Sequence, residues 1–226
     1  MAHTLLFSRR DTHRLIPTRY FNGGSVLEEL DLPPEVLEDM SEIDAGTNKR
    51  ITNAEGRNKY LLPNEQLFGV PYAEIVNAAF SHAGPAGGRF NPPGRGAWYA
   101  GVELKTSQAE VAYHRQRFLQ EGKIEEALKE EYQDCLADFT AEFHALDPHE
   151  DALYLQPEPV PFCYYASQRF AFDLLMEGSN GIVYRSTRNP DGTCIACFRP
   201  ALVYHVRPGK RYVLHTEPGR YAWKAA

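Results

Sequence analysis

Long apolar runs are missing from this chain, and that absence removes one class of protein at once. A membrane-spanning helix needs about 20 successive apolar residues, and no stretch comes near that length. The opening MAHTLLFSRRDTHRLIP breaks into charge too early to hold the apolar centre of a secretory signal. The expectation is a soluble, cytoplasmic protein with no membrane partner. Positive charge is also short: 24 Lys and Arg against 30 Asp and Glu leave a net charge of −6, with the acidic excess largely between Glu121 and Glu158. A nucleic-acid binder gathers basic residues on one face or tail, so direct binding of DNA or RNA is disfavoured. Cysteine is scarce, at positions 135, 163, 194 and 197, and only Cys194-Ile-Ala-Cys197 has metal-like or redox-like spacing. In a strand, residues three apart point to opposite faces, so this pair is expected to serve the core and no metal is assigned.

What is present describes a folded protein. Hydrophobic residues make up 43% and charged residues 24%, which excludes a disordered chain. A length of 226 residues is near the upper end of what one core organises, so one domain over 1–226 is expected. HRLIPTRYF (13–21) reads as an early strand ending at Gly23 and Gly24. Ser25 stands three residues before Glu28, a capping-box spacing, and opens a helix SVLEEL; LPPEVLEDMSEI and VPYAEIVNAAF continue a helical insertion at about 25–82. Then come a Gly- and Pro-rich loop from Gly87, a short strand AWYAG, an amphipathic helix over 106–120 and a solvent-facing helix KIEEALKEE. In CLADFTAEFHA, Cys135, Ala137, Phe139, Ala141, Phe143 and Ala145 alternate with polar neighbours, the pattern of a strand. A glycine-ended helix over 164–178 precedes four β-rich runs: GIVYRS, TCIACF, ALVYHV and RYVLHT. Without a regular βαβ repeat, the class is α+β.

The chemistry concentrates in GGRFNPPGRGAWYAGVELKTSQAEV, from Gly87. A Gly-Gly pair lets backbone approach a ligand, Arg89 offers a planar fork for pyrophosphate or carboxylate, Tyr99 offers a ring for stacking, and Glu110 adds a single carboxylate. Each has a plainer role beside it. Ser107 and Glu110 have the S-x-x-E spacing of a capping box, Tyr99 fits a core strand, and Arg89 could hold a loop through carbonyl contacts. His114, one turn after Glu110, lacks a third ligand at useful spacing and is expected to form a helix-surface pair with it rather than a metal site.

GGRFNPPGRGAWY, with Tyr99 ten residues after Arg89, TSQAEVAYH, with Glu110 eleven residues after Tyr99, and DLLMEGSNGIVYRSTRNPDGTCIACF, with Ser186 just after a strand, together resemble the RES domain of NAD+-degrading bacterial toxins. HRLIPTRY is similar to the family's opening strand and puts Arg14 on its first arginine, although the long separation from Arg89 leaves Arg19 or Arg50 open for that place. DAGTNKR resembles a segment of the longer members. The resemblance implies an ADP-ribosyltransferase-like fold, with split antiparallel sheets around an NAD+ cleft. It also implies cleavage of the nicotinamide–ribose bond by an NAD+ phosphorylase or glycohydrolase, the toxin of a toxin–antitoxin pair with an Xre-type antitoxin as partner.

On this expectation NAD+ is a substrate, inorganic phosphate a co-substrate, and no resident cofactor is needed. The resemblance gives Glu110 to the reacting ribose, Tyr99 to stacking, and Arg89 and Arg14 to the pyrophosphate or incoming phosphate. Ser186 would bond the ligand or orient Glu110; without a G-x-S-x-G elbow around it, it is not expected to be a nucleophile. The alternatives are a protein mono-ADP-ribosyltransferase and an inactive nucleotide-binding or interaction module.

Overall fold

A computed structural model describes residues 3–21, 61–81 and 83–226 of the chain. Two of the helices expected within 25–82, SVLEEL and LPPEVLEDMSEI, lie outside the described residues. The third is present as α2 (Ala73–Ser81), after the short α1 (Thr18–Phe21). The seven strands are β1 (His3–Pro17), β2 (Trp98–Gly101), β3 (Leu128–Ala145), β4 (Gly181–Arg185), β5 (Thr193–Cys197), β6 (Tyr204–Glu217) and β7 (Arg220–Ala225), with α3 (Leu104–Gly122) between β2 and β3 and α4 (Tyr165–Met176) before β4.

This mixture of a large sheet and several helices agrees with the α+β class. In place of two separate sheets, however, the strands hydrogen-bond into one seven-stranded sheet of order β1-β2-β5-β4-β3-β6-β7, with β1 also paired to β3. It consists of two well-paired blocks. One is β1, β3, β6 and β7, all antiparallel; the other is β2, β5 and β4, also antiparallel. The blocks meet at two narrow seams: His13 opposite Gly101, and a two-residue parallel contact of His144 and Ala145 with Ile182 and Val183.

Strand β1 changes parity along its length. Between Arg9 and Thr12 it carries one residue more than β3 does between Phe139 and Ala137, and Asp11 sits there at φ 56°. Such a bulge transfers every later side chain to the other face. Leu5 and Phe7 therefore join Ile16 on the largest buried cluster, while Leu15 packs on the opposite face with Ala112, Tyr132 and Leu214. Arg14 alternates with Leu15, and its guanidinium lies over the Trp98 ring, 4.9 Å from the centroid.

Several expectations are corrected. KIEEALKEE is not a helix: Lys123 ends α3 in a left-handed conformation at φ 49°, and Leu128 already pairs with Thr216. Its helix-favouring composition yields to the ladder with β6. ALVYHV and RYVLHT are one strand from Tyr204, carried past Pro208 and Gly209 by irregular register against β3, where a proline is tolerated. β7 was not anticipated. The polar side of β3 is less wet than alternation implies, because Asp134 and Asp138 are buried and hydrogen-bonded. The Cys194–Cys197 expectation agrees with the structure: both are buried, on opposite faces of β5, in different clusters.

Phe139 is fully buried, edge-on to Phe143, which in turn meets Phe7. Phe139→Ala is expected to cost about 3–5 kcal/mol of stability, read as a lower urea midpoint with an unchanged slope.

Candidate functional site

At the His13–Gly101 seam the two blocks diverge and leave an open cleft of about 340 Å³. Its walls bring Arg14, Arg89, Tyr99 and Glu110 together with His13, His114, Tyr164 and Tyr184. Because the cleft opens where the sheet parts, consecutive residues of β1 from both faces border it.

Helix α3 presents Glu110 and His114 to the cleft, one turn apart and so on one side. The helix starts at Leu104, with Glu103 at its cap, so Ser107 and Glu110 are not a capping box. Ser107 instead donates from Oγ to the His13 carbonyl at 2.6 Å and accepts from the Gly101 N–H at 3.0 Å. Glu110 is thereby free of a helix-terminal duty. Its Oε1 accepts a 2.6 Å hydrogen bond from Ser186 Oγ, and the Cys194 sulfur lies 3.9 Å away.

Ser186 is 3% exposed and stands behind Glu110 rather than on the wall. Its Oγ accepts from the N–H groups of Arg188 and Asn189, at 3.1 and 3.0 Å. With both acceptor positions used, the hydroxyl proton is directed to Glu110. The Asn189-Pro-Asp-Gly192 turn supplies this geometry: Gly192 N–H donates to the Asn189 carbonyl and Ser186 N–H to the Gly192 carbonyl.

Tyr99 borders the cleft with its ring while its hydroxyl is committed. It accepts from Phe90 N–H and donates to Asn91 Oδ1, both at 2.8 Å; burial pushes the phenol's pKa up. The Gly-Gly pair serves the same clasp. A Cβ on Gly88 would sit 2.5 Å from Asn91 Oδ1 and 2.9 Å from the Tyr99 hydroxyl, and one on Gly87 would sit 2.2 Å from the Asn91 carbonyl.

The two arginines differ in how much of their forks is committed. Arg89, 7% exposed, donates to the carbonyls of Tyr154 and Gln156 at 3.2 and 2.8 Å and to Thr187 Oγ1 at 3.1 Å, with its guanidinium over the Tyr164 ring. The loop-holding role considered for it is therefore present. Arg14 makes one hydrogen bond among the described residues, to the Tyr99 carbonyl at 3.0 Å, and burial lowers its pKa. An arginine nevertheless stays charged, so Arg14 has the larger share of uncommitted donors.

His114 belongs to the cleft and not to a plain helix-surface pair. It is exposed in area, but a concave wall hydrates a ring poorly. Desolvation first, then the charges of Arg188, Arg117, Arg89 and Arg115, lower its pKa to about 4. Arg188 itself stacks on Tyr113 at 3.3 Å and donates to the Pro157 carbonyl at 2.8 Å. The cleft thus carries a positive field around one carboxylate, which suits a ligand with anionic groups. Sequence reasoning missed His13, Tyr164 and Tyr184 as cleft residues, since only the tertiary fold brings their strands and turn to this place; His114 was visible through its spacing from Glu110.

A family model described as the RES domain matches residues 66–224, well over half of the chain. The matched span takes in Arg89, Tyr99, Glu110 and Ser186, and begins after Arg14. No curated protein matches the chain.

An NMR titration is expected to place His114 near pH 4, and Arg188→Gln to move it upward. The sign for stability follows from its depression below the ordinary histidine value of about 6.5. The unfolded chain binds the proton first, so stability is retained above about pH 6.5 and lost as pH falls toward 4. His114→Gln should flatten that part of an unfolding-midpoint profile.

Proposed function

Because the chain belongs to the RES domain family, we propose that it is an NAD+-degrading enzyme that cleaves the nicotinamide–ribose bond, with phosphate or water as acceptor. The observation that carries this reading is the Glu110 carboxylate, held by Ser186 at 2.6 Å in the cleft that Arg14, Arg89 and Tyr99 also border. A volume of about 340 Å³ lies toward the low end of small-molecule pockets, roughly 300–1,000 Å³. It suits the nicotinamide riboside half of a dinucleotide, with the rest extending through the open mouth.

The chemistry requires little of the protein beyond placement and charge. Nicotinamide in NAD+ is cationic and leaves as a neutral base, so its departure needs no proton. The barrier lies in the positive charge that develops on the ribose, which a fixed carboxylate stabilises most in the transition state. One carboxylate is therefore enough, in contrast to glycoside hydrolases that must also protonate a leaving oxygen. In this scheme Glu110 faces the ribose, Ser186 keeps it there, and Tyr99 offers its ring to the nicotinamide or adjacent ribose. Arg14 supplies N–H donors to the pyrophosphate, while Arg89, with most of its fork engaged, contributes chiefly charge. NAD+ is substrate and not resident cofactor. The same reading makes the protein the toxin of a toxin–antitoxin pair, restrained by an Xre-type antitoxin.

Purified protein incubated with NAD+, with and without inorganic phosphate, should release nicotinamide together with ADP-ribose or its 1-phosphate by mass. An ADP-ribosylated macromolecule would favour a protein-modifying transferase, and absence of turnover an inactive module. Glu110→Gln keeps an acceptor oxygen for Ser186 and should lower turnover at least about 100-fold with little change in the unfolding midpoint. Near-normal turnover in that folded variant would remove Glu110 from the reaction.

A further inference from the structure

The cleft borders a second pair of titratable groups that the scheme above leaves unused. His13 sits at the β1–β2 seam and lines the cleft that contains Glu110. Its Nδ1 is 2.8 Å from Asp134 Oδ2; the imidazole keeps 20% of its side-chain surface open, and the carboxylate only 4%. We propose that His13, oriented by Asp134, is the proton acceptor for the water that attacks the ribose; this rests on the NAD+-cleaving reading.

Three observations carry the assignment. A carboxylate can only accept, so the Asp134 bond puts the imidazole proton on Nδ1 and leaves the Nε2 lone pair available. Among the described residues Nε2 has no hydrogen-bond partner, as a general base without its substrate requires. Second, Asp134 Oδ1 is buried and has no hydrogen-bond partner among the described residues. A buried carboxylate with one oxygen unmet is costly, and an asparagine could supply the same single acceptor to Nδ1 without that charge. What the carboxylate adds is stabilisation of the imidazolium once His13 takes a proton, the role of the buried acid in an Asp–His pair. Third, the Ser107 hydroxyl bonds the His13 carbonyl, tying the histidine's backbone to the helix that carries Glu110.

His114 is the other imidazole on the cleft wall, and it fits this duty less well. Among the described residues no hydrogen bond or ion pair joins it to a carboxylate, and desolvation together with the arginines around it makes it a weak base. Glu110 is assigned to the charge on the ribose, so the acceptor's proton has no other recipient in the scheme.

The step balances. The water oxygen forms a bond to the ribose C1 as the C1–N bond to nicotinamide breaks, and that bond's electron pair neutralises the pyridinium. The water proton passes to His13 Nε2 and then to solvent. Phosphate as its dianion needs no proton removed before attack, so the two acceptors depend on His13 to different extents.

The test is product partition at fixed NAD+ and phosphate. The ratio of ADP-ribose to ADP-ribose 1-phosphate is expected to fall at least about 100-fold in His13→Gln, the lower end of what a general base contributes. Asp134→Asn, which keeps the acceptor and removes the charge, should shift the ratio the same way by about tenfold and covers the case in which His13→Gln does not fold. Glu110→Gln should depress both products together. An unchanged ratio in folded His13→Gln or Asp134→Asn overturns the proposal, as does a wild-type protein that forms only the 1-phosphate; in both cases the NAD+ reading stands. A wild-type protein that forms neither product overturns that reading, and this proposal with it.

Discussion

The hydrogen bond from Ser186 to Glu110 spans 76 residues of sequence, and the placement of the cleft's carboxylate depends on it. A carboxylate on a helix surface has several rotamers, and fixing one costs side-chain entropy. Here the fixing group is itself fixed. The β4–β5 turn sends two backbone N–H groups into the Ser186 oxygen, which leaves the hydroxyl proton one direction to take. Turn, serine and glutamate therefore form a chain of constraint from backbone to the Glu110 carboxylate, and a ligand of the cleft need not spend binding energy on positioning that group.

A division of labour among the cations follows from the same geometry. Arg89 has exchanged most of its recognition capacity for holding Tyr154, Gln156 and Thr187, so it shapes the wall while its charge still reaches the cleft. Arg14, lying over Trp98 with a single hydrogen bond among the described residues, retains directional donors. Desolvation, and then Arg89 acting with Arg188, Arg117 and Arg115, lowers the proton affinity of His114. The cleft thus keeps the His114 imidazole neutral at neutral pH.

Much of the site was legible along the chain because its members lie on short, strongly patterned segments. Arg89, Tyr99 and Glu110 fall within one loop, strand and helix whose residue types single them out as candidates, and the resemblance to the RES domain adds Ser186 after a clear strand. The cysteine pair was legible too, because alternation in a strand is a geometric necessity. What was not legible depends on distant partners. KIEEALKEE has every local reason to be helical, and only pairing with β6 makes its end a strand. Asp134 lies one residue before the alternating run that begins at Cys135, and nothing local marks it; its burial and its bond to His13 exist only once β1 lies beside it. Tyr164 and Tyr184 reach the cleft from separate elements, and no spacing connects them to Glu110.

The extra residue near Asp11 places two opposite alternations within one strand. Upstream of it odd-numbered side chains such as Leu5 and Phe7 meet the main core; downstream that side belongs to Ile16, and Leu15 turns to the helix. Residues 13 and 14 owe their sides to a count and not to their own character: a chain one residue shorter between Arg9 and Thr12 would interchange them with no change in composition. In that segment length is itself information, and two sequences alike in every letter but differing by a single gap there would build different clefts.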